Sequence, residues 1–140
     1  MTAVVDTNII VALWDRDDGL NATAQRALDS ALDRGSLVVP APVFAELMAL
    51  PGRTESFLDA FFRDTDVAVD WALGESVWRV AGRAFQSYTV RRRKQRGPGP
   101  RRILADFLIG AYAASHGFPL LTLDEGLYRA SFPDLKIARV

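Results

Sequence analysis

The sequence contains no cysteine and a single histidine, His116, among its 140 residues. The lack of cysteine excludes disulfide bonds and thiolate metal sites, and it fits a reducing compartment such as the cytoplasm. No apolar run reaches the roughly 18 residues that a membrane span requires, and the first residues resemble no signal peptide. We therefore expect a cytoplasmic protein with no membrane-inserted segment.

The sequence also lacks the motif GxxxxGK followed by Ser or Thr, which argues against a P-loop nucleoside triphosphatase. Hydrophobic residues make up 49% of the chain, so a folded core is expected rather than disorder. At 140 residues, the chain is long enough for a sizeable core and short enough to favour a single domain, 1–140.

Basic residues are concentrated in one stretch of a chain whose formal net charge is zero. Residues 91–102 contain seven of the 17 Lys and Arg residues and no acid, which leaves ten basic and 17 acidic residues elsewhere. A positive segment on an acidic body favours the binding of a polyanion at one place. A solvated loop and a contact with a protein partner are the alternatives.

Short apolar runs alternate with longer amphipathic segments along the chain. We predict strands at residues 3–5, 37–39, 66–70, 120–123 and 136–138, and helices at 9–14, 21–34, 43–50, 54–63, 75–96, 103–115 and 125–130. The order β-α-α-β-α-α-β-α-α-β-α-β predicts an α/β fold with a parallel sheet. We expect Trp78 in the core and Asp15–Gly19 as a solvated loop.

Two predicted helices are apolar apart from one acid each. Asp106 is the only charged residue from Ile103 to Ser115, and Glu46 is the only one in the helix at 43–50. A helix that is apolar nearly all round is expected to be buried, and a buried carboxylate without a partner is costly. We therefore expect a cation near Asp106. For Glu46, an exposed position on a half-buried helix is the alternative.

Two further acids, Asp6 and Asp124, directly follow predicted strands. The carboxyl ends of parallel strands meet at one edge of a sheet, where open α/β folds bind their ligands. Helices that follow neighbouring strands begin at the same edge, and we place Glu46 and Asp106 in the first turns of such helices. All four acids can therefore converge on one pocket, although Asp6 could equally only cap the helix that follows it.

Four carboxylates in one pocket repel one another and raise one another's pKa values. A divalent cation removes this repulsion, and oxygen ligands without thiol or imidazole suit Mg²⁺ or Mn²⁺. Such a site favours hydrolysis of phosphodiester bonds, in which a metal neutralises developing charge and activates water.

The four acids lie in four segments: VVDTNII at Val4–Ile10, PVFAEL at Pro42–Leu47, ILADFLIGAYA at Ile103–Ala113, and LLTLDEGLYR at Leu120–Arg129. In order and spacing, these segments resemble PIN-domain ribonucleases, and more narrowly the VapC-like toxins of VapBC-type toxin–antitoxin pairs. The resemblance covers the whole chain. It implies a three-layer α/β/α sandwich with a central, mainly parallel sheet, and a Mg²⁺- or Mn²⁺-dependent endoribonuclease. It also implies an inhibiting antitoxin, a toxin homodimer, and a tRNA or rRNA substrate.

By this resemblance, the catalytic metal site consists of Asp6, Glu46, Asp106 and Asp124. Thr7 and Asn8 belong to the first motif, and Asn8 would support the ligands by hydrogen bonds. Thr122, two residues before the last acid, would hold the metal site or a phosphate. Because family members vary at the last acid, a supporting role for Asp124 stays open.

Three arginines of the basic stretch are candidates for contact with RNA. Arg101 and Arg102 lie within about a helical turn of Asp106, and Arg93 lies further away. Two other functions compete with cleavage of RNA. One is a member of the same fold that binds RNA or protein without cutting. The other is a haloacid-dehalogenase-like phosphatase, which is disfavoured because Asp6-Thr7-Asn8 lacks the second Asp of that family's motif.

Overall fold

The computed structural model describes residues 1–95 and 103–138. These residues form five strands and seven helices in the order that the sequence predicts. The elements are β1 (Thr2–Val5), α1 (Thr7–Trp14), α2 (Asn21–Arg34), β2 (Ser36–Pro40), α3 (Ala41–Met48), α4 (Glu55–Thr65), β3 (Val67–Asp70), α5 (Glu75–Gln95), α6 (Leu104–His116), β4 (Leu120–Leu121), α7 (Glu125–Ser131) and β5 (Ile137–Ala138). The predicted α/β class is confirmed.

The five strands form one parallel sheet in the order β3-β2-β1-β4-β5. The central strand β1 pairs with β2 on one side, where Val4 lies opposite Val38, and with β4 on the other, where Val5 lies opposite Leu121. The carboxyl ends of β1, β2 and β4 therefore meet at one edge of the sheet, as predicted. This edge is where α1, α3 and the loop before α7 begin.

The core consists of the central strands and the helices that cover them. Val4, Val5, Leu120 and Leu121 are all fully buried, as expected for parallel strands that are covered on both faces. In α6, every residue from Phe107 to Ala113 is buried. The prediction that this nearly uncharged helix is buried is therefore confirmed.

Gly110 brings α7 close to α6. A methyl group at Gly110 would overlap the ring of Phe132, which is buried directly after α7. A larger residue would push this ring away and move α7, because a close-packed core has little room to yield. The absence of a side chain at Gly110 thus helps to place α7 and its buried Tyr128.

The long helix α5 packs mainly against α6. Phe85 and Tyr88 lie against the ring of Phe107, with ring centroids 5.0 and 5.3 Å apart. The prediction that Trp78 belongs to the core is wrong, because its side chain is 49% exposed. A helix that packs mainly against one neighbour buries a narrow stripe, and Trp78 lies at the margin of the stripe that contains Val77 and Ala81.

Differences between predicted and observed boundaries are small. The strand predicted at 120–123 ends at Leu121, and the helix predicted at 43–50 begins earlier, at Ala41. Among the residues that the structure describes, no helix is both long and apolar enough to cross a membrane. The division of the chain into one domain, 1–140, stays a prediction.

Candidate active site

The four predicted acids line one open cleft at the carboxyl edge of the sheet. The cleft has a volume of about 510 Å³, and we call it the acid cleft. Its polar lining consists of Asp6, Thr7, Asn8, Asp18, Glu46, Asp106 and Asp124. All four predicted acids therefore line this cleft, each from a different part of the chain, and their role as one catalytic site stays a prediction.

Asp6 is the most buried of these acids, with 4% of its surface exposed. Its Oδ1 accepts the backbone N–H of Thr7 at 2.7 Å, and its Oδ2 accepts the hydroxyl of Thr122 at 2.8 Å. The first bond places Asp6 at the N-cap of α1. Asp6 thus caps a helix and also contributes to the cleft, so the two predicted roles are compatible.

Thr122 and Asn8 join the end of β4 to the start of α1. The Thr122 Oγ1 accepts the Asn8 side-chain amide at 3.3 Å and the Asp124 backbone N–H at 3.0 Å. The Asn8 Oδ1 in turn accepts the backbone N–H of Leu123 at 3.1 Å. Asn8 and Thr122 therefore connect the segments that carry Asp6 and Asp124, and their support of a metal site stays a prediction. Thr122 is only 1% exposed and faces Asp6, which favours this supporting role over contact with a phosphate.

Glu46 and Asp106 reach the cleft from helices, and both are half-buried. The Thr7 hydroxyl donates to Glu46 Oε1 at 2.7 Å, and the Ile103 backbone N–H donates to Asp106 Oδ2 at 3.2 Å. Asp106 lies in the first turn of α6, as predicted. Glu46 does not, because α3 begins at Ala41 and places it in the second turn.

The acids influence one another's protonation. Burial raises the pKa of Asp6 to about 6, and the negative charge of Asp106 adds to this, whereas bonds from Thr122 and Thr7 act in the opposite direction. Burial also raises the pKa of Glu46, again with a contribution from Asp106 and against the hydroxyl of Thr7. Both carboxylates would therefore be stabilised in their charged form by a nearby cation.

Tyr128 lies behind the acids, and the sequence analysis did not find it. Its side chain is 1% exposed, and its hydroxyl has no hydrogen-bond partner among the described residues. Burial and the charges of Asp6, Asp106 and Glu46 raise the pKa of Tyr128, so its hydroxyl stays protonated. The Tyr128 hydroxyl also lowers the pKa of Asp6, and because the two groups do not form a hydrogen bond, it acts as a nearby dipole. A single tyrosine in a short helix carries no signal of this position.

Asp18 is a fifth acid of the cleft and is half-buried, whereas the other residues of the loop predicted at Asp15–Gly19 are exposed, as a solvated loop should be. The Asp18 Oδ1 accepts the backbone N–H of Leu20 at 2.7 Å. Just after it, the Asn21 amide donates to the carbonyl oxygens of Ala12 and Leu13 at 2.8 and 3.0 Å. These last bonds hold the start of α2 against the end of α1, which turns the loop toward the cleft.

Comparison with known proteins identifies the family. The family model of the PIN domain matches residues 3–133. The chain belongs to the PIN domain family. A search of curated proteins gave no significant match.

Several solved toxin structures share the fold of this PIN domain. VapBC2 from Rickettsia felis, bound to a DNA fragment from their promoter, matches with a TM-score of 0.67 and 17% identity, covering 99% of this chain and 98% of that chain. VapBC-1 from nontypeable Haemophilus influenzae matches with a TM-score of 0.67 and 21% identity, covering 99% of this chain and 97% of that chain. VapC20 of Mycobacterium tuberculosis, a sarcin-ricin loop cleaving toxin, matches with a TM-score of 0.63 and 18% identity, covering 97% of this chain and 99% of that chain. At these identities the likeness establishes the fold.

The lining of the cleft in this PIN domain suits a hard divalent cation in its chemistry. The atoms of the lining that could bind a metal are carboxylate, hydroxyl and amide oxygens, which are the ligands that Mg²⁺ and Mn²⁺ prefer. As the side chains stand, no three His, Cys, Asp or Glu residues of the described ranges form a group that could hold a metal. Sharing one ion would therefore require rotation of the half-buried carboxylates, and the metal site stays a prediction.

The predicted RNA-binding arginines lie near the end of α5 or beyond it. Arg93 is exposed in the last turns of the helix. Arg101 and Arg102 lie outside the described residues, so their contact with RNA stays a prediction. Within the described lining of the acid cleft of this PIN domain there is no Lys or Arg.

Proposed function

We propose that this PIN domain is a Mg²⁺- or Mn²⁺-dependent endoribonuclease and the toxin of a toxin–antitoxin pair. The observation that carries the proposal is that four acids from four elements, Asp6, Glu46, Asp106 and Asp124, line one open cleft. The fold supports it, because the chain resembles toxins of known structure over nearly its whole length, including one that cleaves the sarcin-ricin loop.

Asp6, Glu46, Asp106 and Asp124 would hold the cation. When bound, Mg²⁺ or Mn²⁺ supplies positive charge to a phosphate and makes water a better nucleophile. Oxygen ligands and the raised pKa values of Asp6 and Glu46 support this assignment, because buried negative charge is stabilised by a cation.

The surrounding residues hold these acids in place. The Thr7 backbone N–H and the Thr122 hydroxyl donate to the two oxygens of Asp6, and the Thr7 hydroxyl donates to one oxygen of Glu46. Asp106 lies in the first turn of α6, where the helix dipole favours negative charge. A substrate phosphate can enter because the cleft is open to solvent, and no side-chain nucleophile is required.

We also propose that an antitoxin protein binds and inhibits this chain in the cytoplasm. Solved structures of similar fold include a toxin–antitoxin complex from Klebsiella pneumoniae, FitAcB from Neisseria gonorrhoeae, and FitAB bound to a DNA fragment. The homodimer and the choice of tRNA or rRNA as substrate rest on the resemblance of the sequence motifs alone.

The test uses purified protein that carries no antitoxin. Total cellular RNA is incubated with it in the presence of Mg²⁺ or Mn²⁺, and new RNA ends are mapped by sequencing. The comparison variants are Asp106→Asn, which alters the cleft, and Asp59→Asn, which removes an exposed carboxylate of α4. We expect discrete new ends with wild type and Asp59→Asn, and none with Asp106→Asn or with EDTA.

Other outcomes contradict the proposal in different ways. New ends that persist in EDTA and with Asp106→Asn would indicate a contaminating nuclease. A folded wild-type protein that binds Mn²⁺ yet produces no ends in any cellular RNA would favour a member of the fold that binds RNA or protein without cutting.

A further inference from the structure

The acid cleft extends along α1, beyond the acids at the start of this helix. The residues of α1 that line it are Thr7, Asn8, Val11 and Ala12, and their spacing places them on one face of the helix. At 1.5 Å per residue, this face reaches about 9 Å along the helix axis from Asp6 to Ala12. The cleft therefore has a second end, which we call its far end.

The far end of the cleft is apolar on one side. Its lining residues include Val11, Ala12 and Leu20. The side-chain amide of Asn21 holds Leu20 there, since it donates to the carbonyl oxygen of Ala12 at 2.8 Å. Leu20 is 47% exposed although it lies in a concave site, so an apolar wall is open to a ligand.

Asp18 is the acid of the far end, and the loop that carries it fixes its position. Its Oδ1 accepts the backbone N–H of Leu20 at 2.7 Å. Its backbone N–H donates to the carbonyl oxygen of Asp15 at 3.1 Å, and its carbonyl oxygen accepts the backbone N–H of Asn21 at 3.0 Å. The Asp18 Oδ2 accepts no hydrogen bond from the residues that the structure describes. One oxygen of this carboxylate is thus held, and the other is available to a ligand.

The cleft is larger than a metal ion requires. Its volume of about 510 Å³ lies within the range of roughly 300–1,000 Å³ that is typical of pockets for small organic ligands. In the proposed function, the cation and the reacting phosphate lie beside the acids at the start of α1. A base of the same strand can then enter the far end. Unpaired bases in RNA are bound in this way, with their flat faces on apolar side chains and their edges on polar groups.

A carboxylate at the far end favours guanine over the other bases. An ionised carboxylate only accepts hydrogen bonds. The Watson–Crick edge of guanine presents two adjacent donors, N1–H and the N2 amino group. Adenine and cytosine each present an amino group beside an acceptor nitrogen, and uracil presents one N–H between two carbonyl oxygens. These acceptors would face the carboxylate and repel it, which adds to the discrimination.

We propose that Asp18 and the apolar wall of Val11 and Leu20 form a subsite for an unpaired guanine of the RNA substrate. The Asp18 carboxylate accepts hydrogen bonds from the N1–H and the N2 amino group of this base. The inference rests on the proposed function, since it takes RNA as the substrate. It makes Asp18 a specificity-determining residue, because the base that binds here decides which phosphate lies beside the other acids.

The first test uses nucleoside 5′-monophosphates, which contain no phosphodiester bond and cannot be cut. Binding of GMP, IMP, AMP, CMP and UMP in Mg²⁺ is followed by NMR of isotope-labelled protein, in which the backbone N–H of Leu20 reports on Asp18. Asp18→Asn keeps an oxygen for this N–H and replaces the available oxygen by a donating amino group. The matched control, Asp17→Asn, removes the same charge from an exposed neighbour that is not among the described lining residues.

We expect wild type to bind GMP about tenfold more tightly than AMP, CMP or UMP, because paired hydrogen bonds to a base edge discriminate by roughly this factor or more. IMP lacks the N2 amino group and should bind with intermediate affinity. Asp18→Asn should lose the preference for GMP, and Asp17→Asn should keep it.

The second test maps the cut sites in a pool of RNA of random sequence. Guanine should be enriched at one fixed position relative to the new ends with wild type and Asp17→Asn, and not with Asp18→Asn. Calorimetry with Mn²⁺ alone should give affinities for both variants within about threefold of wild type, because the far end is separated from the proposed metal ligands by about 9 Å along α1.

Three results would overturn the inference. The absence of a preference for GMP, together with no enrichment of guanine at the cut sites, would exclude the subsite. A preference that Asp18→Asn retains would assign base recognition to other residues. A loss of Mn²⁺ affinity in Asp18→Asn of about tenfold or more, with unchanged base preference, would assign Asp18 to the metal site.

The outcome for the subsite is distinguishable from the outcome for the proposed function. A preference for GMP that depends on Asp18, without any cutting of RNA, would support the subsite and contradict the nuclease activity. Metal-dependent cutting with no preference for guanine would support the nuclease activity and contradict the subsite.

Discussion

The two sides of the acid cleft differ in how their acids are held. On the strand side, Asp6 is 4% exposed, and its two oxygens accept bonds from Thr7 and Thr122. On the helix side, Glu46 and Asp106 are half-buried; Glu46 accepts a bond from the Thr7 hydroxyl, and Asp106 accepts one from the Ile103 backbone N–H. The strand side is a buried network, and the helix side faces solvent.

This difference suggests a division of roles between the two sides. A buried carboxylate with fixed partners stays in one position, whereas a half-buried carboxylate on a helix can change rotamer at little cost. Since no three acids of the described ranges stand close enough to hold an ion, the helix side is the side that would adjust. Asp6 would provide the fixed point, and Glu46 and Asp106 would move toward the cation.

Replacement of Thr122 by Val should have the largest effect on stability. The Thr122 hydroxyl donates to Asp6 and accepts from Asn8 and the Asp124 backbone N–H. Loss of this group leaves buried polar atoms without partners, so we expect the free energy of unfolding to fall by about 3 kcal/mol, the upper end for such losses. Urea unfolding measures this change.

Thr122→Ser is the matched control, because it keeps the hydroxyl and removes only a methyl group. We expect it to lose about 1 kcal/mol. If Thr122→Val unfolds with the same free energy as Thr122→Ser, the hydroxyl network does not hold the strand side, and the contrast between the two sides fails.

Replacement of Asp6 by Asn should stabilise the metal-free protein at neutral pH. Burial raises the pKa of Asp6 from 3.8 to about 6, so its protonated form is favoured in the folded state. The stability that this confers is fully present below about pH 4 and is lost as the pH rises to about 6. Above that, the buried charge costs about 3 kcal/mol, at 1.36 kcal/mol per pKa unit.

Asn cannot ionise, but it loses about one hydrogen bond, worth roughly 1 kcal/mol. At pH 7.5 we therefore expect Asp6→Asn to be more stable than wild type by about 2 kcal/mol, with the gain absent below pH 4. Unfolding in EDTA across this pH range measures it, and Glu46→Gln should show a smaller gain because Glu46 is half-buried. If Glu46→Gln gained more free energy of unfolding than Asp6→Asn, Glu46 rather than Asp6 would be the acid whose charge is more costly to bury, and the contrast between the two sides would be wrong.

The sequence predicted the order of the elements because the fold depends on local patterns. Each strand is a short apolar run, and a parallel sheet brings the strand ends to one edge. The positions of Asp6 and Asp124 follow from this rule alone. The convergence of Glu46 and Asp106 also follows, although the turn that carries Glu46 was predicted wrongly.

Other features depend on packing between distant segments, which no local pattern reveals. Asp18 reaches the cleft because Asn21 holds the start of α2 against α1, and the sequence alone indicates a solvated loop. Tyr128 lies behind the acids because Phe132 packs on the bare Gly110 of α6. Trp78 was wrongly predicted to be buried. Helical periodicity shows which side of α5 is apolar, but it does not show how wide a part of that side the neighbouring helix covers.

Replacement of Thr7 by Val should have the smallest effect on stability and should act on the helix side. Its hydroxyl donates to Glu46 at 2.7 Å, and this bond lowers the pKa of Glu46 against the effect of burial. Its backbone N–H, which binds Asp6, remains. We expect less than about 1 kcal/mol loss in the free energy of unfolding, because the site is only half-buried.

The affinity for Mn²⁺ should change more, since residues that orient metal ligands typically contribute about 10- to 100-fold. By calorimetry, we expect the Mn²⁺ dissociation constant of Thr7→Val to be about tenfold larger than that of wild type. Thr7→Ser keeps the hydroxyl and should bind Mn²⁺ with near wild-type affinity. An unchanged affinity for Thr7→Val would mean that Glu46 finds the ion without help from Thr7. The helix side would then already be free to adjust, and the hydrogen bond would only hold Glu46 while no cation is bound.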